Sequence, residues 1–87
     1  MSQICKFFGI VIYEIYYDDH HPLHFHARYG EYEVLINIET LSIFSGYLPS
    51  RALGLVVEWA SLHHTELKKV WQQAINHQQL DKIEPLK

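Results

Sequence analysis

The chain has one cysteine, no long apolar run and no surplus of basic charge, and each shortage removes a class of function. Cys5 alone makes no intramolecular disulfide and no metal site, which fits a reducing compartment. No apolar stretch approaches the ~20 residues of a membrane helix. The first residues lack the charged, apolar and small-residue regions of a secretory leader. The expectation is a soluble cytoplasmic protein with no membrane partner. A net charge of −3 with histidines neutral disfavours non-specific nucleic-acid binding at neutral pH. Seven histidines reverse that sign near pH 6. Also missing are a phosphate-cradling glycine loop, a dinucleotide fingerprint, a Cys-x-x-Cys or H-E-x-x-H metal pattern, and a serine or cysteine nucleophile with a base in reach.

What remains is one small domain over residues 1–87, with room for one modest core. A chain of this size buries only roughly 60–65% of its extended surface. At 14% aromatic, the spare surface is suited to a homodimer or a hetero-complex.

The strongest local pattern runs from His24 to Glu33. Alternation puts His24, His26 and Arg28 on one strand face and Phe25, Ala27 and Tyr29 on the other. Gly30-Glu31, with glycine first, suits a type II′ hairpin. That register sets Arg28 opposite Glu33, Tyr29 opposite Tyr32, Ala27 opposite Val34 and Phe25 opposite Ile36. The hairpin spans about Leu23 to Ile38. Before it, Phe7 to Tyr17 reads as one strand that is covered on both faces or whose second face meets a partner, and Asp18 to Pro22 as a polar turn. After it, Leu41 to Phe44 reads as a short fourth strand. From Arg51 to about Asn76 the period is 3.6, with Ala52, Leu55, Val56, Trp59, Leu62, Leu67, Val70 and Ala74 on one side. Leu53, Val57, Trp71 and Ile75 widen that arc. One long helix or two consecutive ones fit equally well. Pro85 ends any helix, so Leu80 to Leu86 reads as an extended tail laid back on the domain. The class is α+β: a small antiparallel sheet of about four strands, then helix, then tail.

His24 and His26 project to one side and form an H-x-H pair able to bind a divalent metal. A third ligand would come from His20, Asp18 or Asp19 in the turn, or from His63. The plainer reading is two surface histidines beside an arginine paired with Glu33. His63 falls within the apolar helix face with Glu66 at i+3. It is either a satisfied core histidine, or an imidazole oriented by Glu66 as acid, base or ligand. If the helix packs on the Phe25 face, His63 meets the strand histidines only where the helix edge wraps round. The catalytic candidates are thus His24, His26, Arg28, His63 and Glu66. The metal candidates are His20, His24, His26 and Asp19. No organic cofactor is expected.

The runs Phe7-Phe8-Gly9-Ile10-Val11-Ile12, Tyr16-Tyr17-Asp18-Asp19-His20 and His24-Phe25-His26-Ala27-Arg28-Tyr29-Gly30-Glu31, then Gly46-Tyr47-Leu48-Pro49, Glu58-Trp59-Ala60 with His63, and Lys82-Ile83-Glu84-Pro85-Leu86, resemble a family of short bacterial proteins. It is known as a domain of unknown function, numbered 4160. His20, His24, His26 and His63 match its histidine pattern, whereas His21 and His64 look like local variation. The resemblance implies a second small protein encoded alongside, in a two-gene arrangement of toxin–antitoxin type. Two readings follow: a non-catalytic protein-interaction module, or a histidine-dependent metal protein or ribonuclease-type toxin using His24, His26 and Arg28.

Overall fold

The computed structural model describes residues 2–14 and 23–86. Five strands form one antiparallel meander in the order β1 (Ser2–Phe7), β2 (Ile10–Glu14), β3 (His24–Tyr29), β4 (Tyr32–Asn37) and β5 (Ile43–Gly46). Two helices follow, α1 (Ser50–Leu62) and α2 (His64–Ile75), so the class is α+β as expected.

There are five strands rather than about four, because the apolar run read as a single strand contains a turn. Phe8 and Gly9 take φ of 49° and 79°, and the chain folds back so that Phe7 faces Ile10. Two successive left-handed residues make the tight turn that suits a strand twist, but Phe8 is not a residue that announces it. Residues 10–13 match the expectation of a strand covered on both faces: Ile10, Ile12 and Tyr13 are buried and Val11 is half-buried. Residues 15–17 of that reading lie outside the described residues.

The β3–β4 hairpin forms in the expected register, pair for pair: Arg28 with Glu33, Tyr29 with Tyr32, Ala27 with Val34, Phe25 with Ile36. Gly30 supplies the positive φ, at 61°. At the other end Asn37 closes the turn into β5. Its side-chain oxygen accepts from the backbone of Glu39 at 2.8 Å and of Thr40 at 3.0 Å.

The core face of the sheet carries Phe7, Ile12, Phe25, Ala27, Val34 and Ile36. Onto it α1 lays Ala52, Val56, Trp59 and Ala60, and α2 adds Leu67, Val70 and Trp71. Trp59 is fully enclosed, with its ring 5.6 Å from Phe7 and 6.0 Å from Phe25. The helical stretch is interrupted at His63 alone (φ −119°), whose N–H is shared between the carbonyls of Trp59 and Ala60. That single step explains why the apolar phase survives the break. Leu62 departs from the helical-wheel expectation: at this break it points outward and is 67% exposed.

The tail lies back on the domain as expected. The Ile83 N–H donates to the Ile4 carbonyl at 3.0 Å, and the Trp59 indole N–H donates to the Glu84 carbonyl at 2.8 Å. Asp81 accepts from Gln73 Nε2 at 3.0 Å and lies 3.3 Å from the Lys69 ammonium, and these contacts hold its carboxyl below the ordinary range. Ile83 is buried, and Leu80 and Leu86 pack against the core, so this segment covers part of the wide helical arc. Burial pushes the Cys5 thiol upward, away from thiolate chemistry. No described helix is long and apolar enough to cross a membrane.

Candidate functional site

β3 is buried on both faces over its first four residues and exposed over its last two, Arg28 and Tyr29. His24 and His26 do lie opposite the Phe25 face, but they are not surface groups: His24 is 2% and His26 6% exposed. Alternation assigns a side chain to a face and says nothing about what covers it. Here other rings cover it. The His26 imidazole stacks on Tyr13 of β2, centroids 5.0 Å apart and planes 17° from parallel. His24 sits 5.2 Å from His26 and 5.2 Å from Trp71 of α2. Beyond Tyr13, the Arg28 guanidinium lies over the phenol ring at 5.8 Å. Trp71, His24, His26, Tyr13 and Arg28 thus make one continuous row of flat groups. The helix edge reaches the strand histidines, but through Trp71 and not through His63.

Within that row both ring nitrogens of His26 are buried, with no hydrogen-bond partner among the described residues. Glu33 approaches Nδ1 to 3.7 Å, too long for a hydrogen bond. Burial first, and the nearby His24 second, lower the His26 pKa to about 4. At neutral pH the ring is therefore uncharged, and the Glu33 contact is not a charge pair. Arg28 stands opposite Glu33 in the ladder, yet its guanidinium stacks on Tyr13, and among the described residues the Glu33 carboxylate approaches the neutral His26 ring and forms no ion pair.

His63 and Glu66 do pair: Nδ1 to Oε1 is 2.6 Å. The imidazole also rests 5.6 Å from the Trp59 ring. It borders an open groove of about 600 Å³ between α1 and the tail, where Glu58, Leu62, Glu84 and Pro85 also face. His20 and Asp19, with Asp18, lie outside the described residues. Among the described residues no three His, Cys, Asp or Glu side chains converge as metal ligands.

The opposite end of the sheet was not singled out by motif. The meander brings the β1–β2 turn, the β3–β4 turn and the exit of β5 to the same end. Phe8 (60% exposed), Tyr29 (38%), Tyr32 (39%) and Tyr47 (63%) stand there together in solvent. Tyr32 and Tyr47 meet edge to face at 5.8 Å, and a Cβ on Gly9 would touch the Tyr29 ring at 3.4 Å. The available signal was the placement of aromatics beside turns, Phe8 before Gly9 and Tyr29 before Gly30. Gly46 fixes the arrangement. At φ 87° it brings β5 so close to β4 that a Cβ would lie 2.2 Å from the Glu33 carbonyl oxygen. The Tyr47 N–H then donates to that same carbonyl at 3.0 Å.

The molecule is thus a small α+β domain with a buried histidine row at one end of its sheet and a bare aromatic rim at the other. Residues 9–72 match the family described as a domain of unknown function (DUF4160), and the chain belongs to that family. No curated protein and no solved structure matched it.

Proposed function

We propose that this chain is a non-catalytic protein-interaction module that docks a second protein through the aromatic rim. The exposure of Phe8, Tyr29, Tyr32 and Tyr47 at one end of the sheet carries this reading. Aromatic side chains are enriched in interface hot spots, and a rim of four is costly to leave in water without a partner. The partner implied by the family resemblance is the small protein encoded alongside, in a toxin–antitoxin-like pair. The enclosure of His24 and His26 supports the same reading, since an imidazole held among other rings is placed for packing. Co-expression of the tagged chain with the adjacent gene product tests it. Capture of that product should fall at least tenfold for Phe8→Ser with Tyr47→Ser, with the melting temperature unchanged. Capture undiminished by both changes would sink the rim as the docking surface. Self-association lost in the same variant would make the partner a second copy.

The short His63–Glu66 bond beside an open groove favours one alternative, a histidine-dependent activity with Glu66 orienting the imidazole. His63→Ala separates the two. On the module reading it lowers stability by about 1 kcal/mol, the worth of one hydrogen bond, and leaves partner capture intact. Toxicity in cells that is abolished by His63→Ala, with the fold intact, would establish the alternative.

A further inference from the structure

At the foot of the aromatic rim is a recess of about 220 Å³. It is lined by Phe8, Ile10, Tyr29, Ala52 and Leu55. Among the described residues Arg51 is the only charged one that lines it. Sites for drug-sized ligands run to about 300–1,000 Å³, so this one has the capacity of a single large side chain. Past Tyr29 the exposed rings continue through its cross-strand partner Tyr32 to Tyr47, which suits a ligand longer than the recess itself.

Arg51 is exposed and makes no ion pair with any described residue. The first turn of α1 holds no acidic residue to neutralise it. A guanidinium free at the lip of an apolar recess selects for a carboxylate, which it grips with two parallel hydrogen bonds. Resting on the module reading, we infer that the recess is the anchor socket of the docking surface. It takes one leucine- or phenylalanine-sized side chain from a partner segment that carries an aspartate or glutamate one or two residues away to meet Arg51.

The test is an amide-shift titration of the intact ¹⁵N-labelled chain with the capped peptide Ser-Gly-Leu-Asp-Gly-Ser, and with its Asn counterpart. Saturable shifts should centre on the amides of Ile10, Ala52 and Leu55. Affinity should fall about fivefold for the Asn peptide, and equally for Arg51→Gln, the scale of an exposed ion pair. Leu55→Trp, which fills the recess, should abolish the shifts while spectral dispersion reports an intact fold. Equal binding of the Asp and Asn peptides, or shifts absent from those amides, overturns the inference. Free phenylacetate binding more tightly than the peptide also overturns it, in favour of a small-molecule site. None of these failures touches capture of the adjacent gene product, which tests the module reading separately.

Discussion

The two ends of β3 hold similar residues in opposite circumstances. At its start, His24 and His26 are enclosed in a row of rings that runs from Trp71 to Arg28. At its end, Tyr29 joins Phe8, Tyr32 and Tyr47 in open solvent. The polar rings are buried and the apolar ones bare, the reverse of what hydropathy alone would assign. Burial of the neutral His26 ring without hydrogen-bond partners among the described residues costs about 1–3 kcal/mol, which stacking on Tyr13 offsets in part. The four aromatics at the other end touch few neighbours, chiefly one another, as Tyr32 and Tyr47 do edge to face. The contrast ties one end to stability and, on the proposed module reading, leaves the other for recognition.

The largest way to break that contrast is Trp71→Ala. Removing a buried indole from between the core and His24 should cost roughly 3–5 kcal/mol, seen as a lower urea midpoint. Next comes acid. The His26 pKa falls from the ordinary 6.5 in the unfolded chain to about 4 in the folded one. The unfolded state therefore takes up the proton first, and stability present above pH 6.5 is lost as pH drops toward 4. At 1.36 kcal/mol per pH unit, the loss reaches at most about 3 kcal/mol. His26→Phe, which keeps the stack on Tyr13, should flatten the urea midpoint across that window. A wild-type midpoint unchanged between pH 7 and 4.5 would contradict the enclosed row.

At the other end, Gly46→Ala should cost about 1–3 kcal/mol from its left-handed backbone alone, with the clash against β4 added. A calorimetric melt reads it, and displacement of Tyr47 should weaken partner capture as well. The smallest effect sharpens the comparison most. Tyr47→Ser should move stability by no more than about 0.5 kcal/mol, because the ring is mostly in water. A large drop in melting temperature would show that the rim is structural.

Where the sequence was legible, neighbouring residues constrained one another. Gly30, the cross-strand opposition of Arg28 to Glu33 and the apolar pairs Ala27–Val34 and Phe25–Ile36 all require one register, and that register forms, although the Arg28 guanidinium stacks on Tyr13. His63 and Glu66, one helical turn apart, meet as their spacing requires. The β1–β2 turn was hidden because Phe8 continues an apolar run on both sides, and nothing in Phe8-Gly9 resembles the Asn-Gly of a common tight turn. The enclosure of His24 was illegible for a different reason. It depends on Trp71, 47 positions away, and on how far α2 reaches round the sheet after the break at His63. Period-two alternation carries no information about such a distant cover.

The bond from Ile83 to Ile4 sets an order of events during synthesis. β1 is the first of these strands to be made, and its outer edge receives this backbone partner only after 79 more residues have followed. A growing chain therefore carries β1 as an open edge, apt to pair with a neighbouring nascent chain, until residue 83 has been made. Closure of the sheet on that side waits for that residue, and a chaperone that shields the edge has its work before residue 83 arrives.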